Sequence, residues 1–552
     1  ENTDNMIYFQ EVNRMSFKHN KAIILFIPIL IIPILFGACK FGSKSTTKIE
    51  KGTGIKAVKP NIPTATRGVS STNKTNTTSN KNNTTANQNQ NADDSLDFTE
   101  SPIHAYDYTT PSEMAQLLNN EPMDEVPITN IDHNLDLNGR TIKIVYDTDI
   151  NRSPGDPPSL TELAQNPSSI IRYNIIEDAK KKMNFNIYWI YRSHDNIVYE
   201  YMETIAAGKK YADIILTSTK RVFPILATKK LLVPMDNFIN FDNDPIYNIG
   251  TMATGTEFLG RRWGFAKDPY NLGYVFFYNR DIFAKEGLTD LQILYDQGLW
   301  TWDTMVNYAK SATHDYNGDG KIDQWGLLIS HPHYAVQALI LSNGGDMIRY
   351  DPTENTYKFA ANDEKVVRAL QLVSDMISAK ITTPDSSVKF DKFPSAMVIG
   401  KIAADGQAYK KLGMNFGIVP LPKGPDVSTT QFASASGTDA YFIPVNTDPK
   451  VSAAVIIEAF TYWDYNKPQY MTKEEIMSAN LQKYLCTDED VKWSIRNFES
   501  PRISQIMSFE TLYANFNKEI LQRIAYREIT APAALEIFEQ SLQQDIDNAL
   551  NN

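Results

Sequence analysis

Between Asp315 and Gln324 the chain reads DYNGDGKIDQ, and its oxygen-bearing residues fall at regular intervals. Asp315, Asn317 and Asp319 stand at positions 1, 3 and 5, Gly320 at 6 and Asp323 at 9, with Lys321 at 7, where a backbone carbonyl serves. This spacing wraps alternating side chains around one point, which suits Ca²⁺ and its roughly six to eight oxygen ligands. Position 12 of such a loop is normally Glu, but here it is Gly326, so a structural ion is expected rather than a sensing one. Gln324 is the expected source of the missing oxygen. The competing reading is an Asx-rich turn without metal. His331 and His333 straddle a proline and lack a third convergent ligand in the sequence, so no metal is expected there.

A second group of polar residues follows apolar runs. Asp147 comes directly after Arg140–Tyr146, and Thr217, Ser218, Thr219 and Lys220 follow Ile214–Leu216. Short hydroxyls with a carboxylate suit a polyhydroxylated ligand, whose groups both donate and accept. Turn formation explains the same residues without a ligand. Tyr270, Trp325, Tyr334 and Tyr409 are candidates for stacking on the apolar faces of a sugar. Gln407 and Ser436 complete the candidate set. No HExxH, GxSxG or Walker A pattern occurs. The only cysteines are Cys39 and Cys486, too few for a disulfide framework.

The elements that position these residues begin late in the chain. Residues up to 38 are neutral, 40–92 carry +8, and the total of −11 therefore leaves −19 on 93–552. An acidic body of this kind is not expected to bind nucleic acid. Lys18 and Lys21 precede an uncharged run, Ala22–Ala38, which is laid out as a secretory signal after a start at Met15. Pro28 and Pro33 weaken the reading of that run as a transmembrane helix. Its end, Leu35-Phe36-Gly37-Ala38-Cys39, resembles a bacterial lipobox, which implies a diacylated Cys39 as the mature N-terminus. Phe36 departs from the usual aliphatic residue, and an uncleaved signal anchor is the alternative. Residues 39–92 are rich in Asn, Thr, Lys and Ser and are expected to be a disordered tether. An irregular lead-in follows over 93–138.

From Asn138-Gly139 onward the pattern becomes regular. Arg140–Tyr146 alternates as a strand, 169–183 is helical, 186–191 a strand, 197–207 a helix and 212–216 a buried strand. Strands alternating with helices predict an α/β body with mostly parallel sheets. Helices are also expected at 370–379, 451–463 and 534–550, and a short strand at 416–420.

Five stretches, in order, resemble the extracellular solute-binding proteins of the maltose and oligosaccharide type, the receptors of ABC importers. They are Asp213–Ile215 with Leu231–Asp236; Trp263–Tyr270 running into Phe277–Leu288; Trp300–Asp303 followed by Asp315–Trp325; Gly400–Ala404 with Phe416–Pro425; and Ser436-Gly437 through Tyr441–Pro444. The resemblance implies a two-lobed, type II periplasmic-binding-protein-like fold with hinge strands between the lobes. Lobe 1 is expected over 139–270 plus 437–475, and lobe 2 over 271–436 plus 476–552. The chain should cross near Pro269–Tyr274 and again near Ala433–Gly437.

In that family a polar ligand contact follows the first strand, where Asp147 stands, and an aromatic often lies near the position of Tyr409. Sugar-binding members often carry a carboxylate in the crossover, where this chain has Asn271-Leu272. Some members hold short structural calcium loops like 315–324. The implied function is a non-catalytic, monomeric lipoprotein on the outer face of a Gram-positive-like cytoplasmic membrane. It would capture an oligosaccharide or related polar solute for an ABC importer. The alternatives are a lipid-anchored carbohydrate-active enzyme, needing two carboxylates about 5 to 9.5 Å apart, and a sensor or adhesin using the same cleft.

Overall fold

The computed structural model describes residues 130–551 apart from 149–153, 160–162, 164–167, 271, 330–331, 384, 386, 435–436, 465–469 and 500–501. The signal, Cys39, the tether and most of the lead-in lie outside the described residues.

The first lobe opens with β1 (Arg140–Tyr146), α1 (Ser168–Lys182), β2 (Phe185–Tyr191), α2 (Ile197–Ala206) and β3 (Ile214–Ser218). In β1, Ile142 and Ile144 are buried and Thr141 exposed, and burial is continuous from Ile144 to Tyr146 at the strand's end. Both neighbours of β1 run parallel to it, with Tyr146 opposite Tyr191 on β2 and Leu216 on β3. The short strands β4 (Leu232–Val233) and β5 (Gly264–Ala266) belong to the same sheet.

The second lobe is built on β6 (Tyr274–Asn279), followed by α3 (Arg280–Glu286), β7 (Trp325–Ile329), α4 (Pro332–Ser342), β8 (Ser395–Lys401) and β9 (Phe416–Val419). Its sheet has the order β9-β6-β8-β7. Central β6 is apolar on both faces, as a strand covered on both sides must be: Phe276, Phe277 and Tyr278 are fully buried. Burying each such phenylalanine contributes about 1.5–3 kcal/mol. Asn279 then caps α3, its side chain accepting from the amides of Asp281 and Ile282, and left-handed Gly287 ends it at φ +67°.

The chain returns to the first lobe as β10 (Asp439–Pro444), which enters between β3 and β4 and also pairs with β5. The helix α5 (Pro449–Phe460) follows and packs on α1. β5 and β6 belong to different sheets, as do β9 and β10, so the chain leaves the first sheet after Ala266 and rejoins it at Asp439.

The expectation of mostly parallel sheets needs correction. β10 is antiparallel to β3, β4 and β5, and β6 is antiparallel to β8 and β9. Only β1 with β2 and β3, and β8 with β7, are parallel within these two sheets. The reason lies in the crossings. A strand that arrives from the other lobe enters at the edge where the parallel strands end, so it must run back against them.

One face of the first sheet is sealed by α1 and α5, whose Ile175 and Ile456 share a core with Ile142, Ile144 and Tyr441. The opposite face does not stop at the lobe boundary. Phe223 stacks on Phe258 with centroids 4.8 Å apart, and Phe258 meets Tyr357 at 5.3 Å and Phe509 at 5.8 Å. Phe258 sits on a hairpin fastened to the first lobe by the Arg261–Asp236 ion pair at 2.6 Å, whereas Tyr357 and Phe509 follow the first crossing.

Candidate ligand site where the strand ends meet

The carboxyl ends of β1 and β3, the start of β10 and the end of β5 lie along one edge of the first sheet. The second sheet presents the start of β6 and the ends of β7 and β8 to the same crossings, since Tyr274 pairs with Lys401 and Ile399 with Ile329. Open α/β sheets bind ligands at edges of this kind.

Asp147 stands on the first edge with its side chain only 1% exposed. Its Oδ2 accepts from the Thr217 hydroxyl at 2.8 Å, meets His194 Nδ1 at 3.1 Å and pairs with Arg221 Nη1 at 3.3 Å. Thr217 is fully buried, its hydroxyl committed to Asp147. Thr219 accepts the Thr438 amide at 3.0 Å through Oγ1 and gives its own amide to the Thr438 carbonyl at 2.9 Å. It fastens the second crossing to the end of β3. Gly437 lets these segments close up, because a Cβ there would lie 2.7 Å from Lys220 Cγ. Ser218 and Lys220 are half-buried and remain on the rim.

Lys220 reaches across the lobes, its Nζ 5.5 Å from the centre of the Tyr334 ring. Tyr334, in the first turn of α4, stacks between Tyr274 and Tyr513, each 5.7 Å away. Tyr270 is half-buried in the first crossing, where burial lifts its phenol to about 12, with Lys473 Nζ 5.9 Å from its ring. Gln407 is exposed just beyond β8. Ser436 and Asn271 lie outside the described residues, as does His331.

Two aromatic candidates are placed elsewhere. Trp325 begins β7, and the strand's other end, Ile329, is the one that faces the crossings. Five residues of strand separate them by about 13 Å. Tyr409 is 5% exposed, its ring packed against Phe390 at 4.9 Å, Phe277 at 5.2 Å and Phe416 at 6.0 Å. It would have to leave the core to stack on a ligand.

Three groups at the edge were not singled out from the sequence. Arg221 immediately follows Lys220, so the strand-end signal extended one residue further. Asp439 lies open to solvent, yet it is walled in closely enough for burial, then Asp147 and Asp268, to raise its carboxyl. Asp268 supplies a carboxylate in the first crossing, three residues before Asn271. Its Oδ1 pairs with Arg172 Nη2 at 2.7 Å and accepts from the Tyr462 hydroxyl at 2.9 Å, while the Arg172 guanidinium lies 3.9 Å over the Tyr462 ring. Burial alone would raise this carboxyl, but Arg172, Lys267 and the Tyr462 bond outweigh it and hold it at about 2.

The loop 315–324 lies at the far end of the second lobe, before Trp325. Asp315 accepts from the amides of Gly318 at 2.7 Å and Gly320 at 2.8 Å, which holds its carboxyl below the usual range. Asn317 accepts from Asp319, Asp319 from Lys321 and Asp323 from Tyr316, each at 2.8 Å. Carboxylate oxygens keep further lone pairs after such bonds. Gln324 is committed otherwise: it donates to Glu286 and to the Ala312 carbonyl, both at 2.9 Å, and its oxygen faces Lys285 Nζ at 3.2 Å. Among the described residues no three His, Cys, Asp or Glu side chains are grouped to hold a metal ion.

Residues 199–463 match the model of the bacterial extracellular solute-binding protein family. This region belongs to that family. The match spans a little under half of the chain, and the family it names is one of extracellular proteins. Among the described residues, no helix is long and apolar enough to cross a membrane. A cyclic α-maltosyl-1,6-maltose binding protein from Arthrobacter globiformis shares the fold at a TM-score of 0.51 and 14% identity, over 75% of this chain and 99% of that one. An ABC substrate-binding protein from Listeria monocytogenes, in complex with cycloalternan, gives 0.47 at 17% over 74% and 99%. A maltose/maltodextrin-binding domain from Bdellovibrio bacteriovorus, bound to maltotriose, gives 0.45 at 16% over 74% and 100%. No curated protein matches the chain in sequence.

Proposed function

We propose that this solute-binding protein is a monomeric, non-catalytic receptor that holds an oligosaccharide or related polar solute between its lobes and delivers it to an ABC importer. The observation that carries the reading is the meeting of Lys220 with Tyr334, residues that follow strand ends in different lobes. The strand ends beside Lys220 also bear Ser218 and Asp439, and Tyr334 packs with Tyr274 and Tyr513, so hydroxyl, carboxylate and aromatic groups come together as a polyol needs. Closure needs a ligand that touches both walls, because only differential affinity for the closed form shifts the equilibrium. Calorimetry against a glycan panel, with scattering at saturation, tests this. A binding glycan that shrinks the radius of gyration supports it. Turnover of the glycan, or binding with an unchanged radius, counts against it.

The receptor is held at the outer face of the membrane by two acyl chains on Cys39, enough for stable anchoring where one is marginal. The lipobox-like Leu35–Cys39 supports this. Cys39→Ala should release the protein to the medium or leave an unprocessed precursor; a trimmed mutant still on membranes would refute it. A Ca²⁺ ion in 315–324 is part of the same proposal, supported by ligand spacing and by the lone pairs left on Asp315, Asn317, Asp319 and Asp323, with the Lys321 carbonyl as a fifth donor. Gln324, turned to Glu286, is not among these donors.

A further inference from the structure

Two cations at the first lobe's edge, Arg221 and Lys267, have few direct partners among the described residues. Arg221 has one contact among the described residues, Nη1 on Asp147 Oδ2 at 3.3 Å, and Thr217 and His194 share that oxygen. Its Nη2 and Nε have none there. Lys267, at the head of the first crossing, makes no hydrogen bond or ion pair through Nζ among the described residues, although Asp268 and Asp439 lie within electrostatic reach. Both side chains are half-buried.

A guanidinium offers five N–H donors in a planar fork that matches the oxygens of an oxyanion. Partly desolvated cations with spare donors are costly until something takes those donors. Asp147, itself buried, uses a single oxygen to hold Arg221 at the strand end, so it positions the fork without filling it. His194 reaches the same oxygen through Nδ1, which leaves Nε2 for solvent or solute. The setting adds to the argument. Residues 93–552 carry −19 of the total −11, offset by +8 in the tether, so the body as a whole repels anions. Cations at the one edge where both sheets end counter that repulsion locally.

We propose that the solute held here is an acidic saccharide whose oxyanion, a carboxylate or a sulfate, is received by Arg221 and Lys267, with Asp147 as the positioning residue. Asp439 then serves as acceptor for the neighbouring hydroxyls. This rests on the cleft being the solute site, as proposed above.

Titration calorimetry on the purified protein, using trisaccharides of equal length, decides the matter. The probes are maltotriose, trigalacturonate and a sulfated maltotriose. An acidic probe should bind at least about tenfold more tightly than maltotriose, and Arg221→Gln should lose about tenfold or more for it, the size of a charge-assisted hydrogen bond. Lys267→Gln, a change at a side chain with no direct partner among the described residues, should do the same and stay folded if Arg221→Gln does not. The stronger of the two acidic probes tells carboxylate from sulfate. Asp147→Asn should lower the ratio of acidic to neutral affinity without lowering the neutral one. Equal or tighter binding of maltotriose, or acidic affinity unchanged in both glutamine variants, overturns the oxyanion while leaving the saccharide receptor standing. Failure of every probe to bind the folded protein overturns both.

Discussion

Lys220 and Tyr334 lie in different lobes, and the lysine ammonium is 5.5 Å from the centre of the tyrosine ring. The contact is a cation–π pair at the mouth of the cleft, of the order of 0.5–1 kcal/mol at a partly exposed site. It favours closure slightly even without ligand.

Tyr334→Ala removes that pair and the middle ring of the stack with Tyr274 and Tyr513. Affinity for the bound glycan should fall by about 1 kcal/mol or more, roughly fivefold. The unliganded protein should show a larger radius of gyration than wild type. Calorimetry and scattering on one preparation check both; wild-type values for the pair would place the solute elsewhere.

Tyr409 should behave in the opposite way. Its ring fills the space between Phe277, Phe390 and Phe416, so Tyr409→Ala should cost about 3–5 kcal/mol of unfolding free energy, as large-to-small core changes do. Tyr409→Phe keeps the packing and should cost far less. Denaturant melts give both numbers. A Tyr409→Ala protein as stable as wild type but defective in binding would return the residue to the site.

Asp268 gives a pH dependence. Its folded carboxyl, held at about 2 against an ordinary 3.8, lies below the unfolded value. Such a group contributes stability that is complete above pH 4 and disappears as the pH falls toward 2. Asp268→Asn should therefore melt below wild type at pH 6, and the two curves should converge near pH 2. Because the side chain is partly exposed, the gap at pH 6 should be modest. A gap that persists at pH 2 would mean that packing, not charge, is what the substitution removes.

For the loop 315–324, chelator should lower the melting temperature of calcium-loaded protein. A site occupied at a hundredfold excess over Kd adds about 2.7 kcal/mol. Asp319→Ala should already melt low and no longer respond. Indifference of the loaded wild type to chelator would leave the loop as a turn closed by its own amides.

What could be read in advance was set by local pattern. Arg140–Tyr146 alternates and is β1, and the apolar run before Thr217 is β3. Sheet direction was not legible, because β10 joins β3 only after the chain has built another lobe, and no local signal records that return. Within the site, the orientation of the candidate side chains was hidden. Thr217 and Thr219 follow a strand end as ligand contacts do, yet their hydroxyls are used by Asp147 and Thr438. Tyr409 and Tyr334 look alike in sequence, and only the packing of distant Phe277 and Phe390 separates a core ring from a cleft ring. The Arg172–Asp268–Tyr462 group joins three remote segments, so spacing carried no trace of it.

The aromatic run from Phe223 through Phe258 to Tyr357 and Phe509 carries one apolar core across both lobes, while the first lobe keeps a second core under α1 and α5. Neither lobe can melt without stripping the other's rings into water. Heating should therefore unfold residues 130–551 in a single cooperative transition, with calorimetric and van't Hoff enthalpies in agreement, despite a size at which independent melting of domains is common.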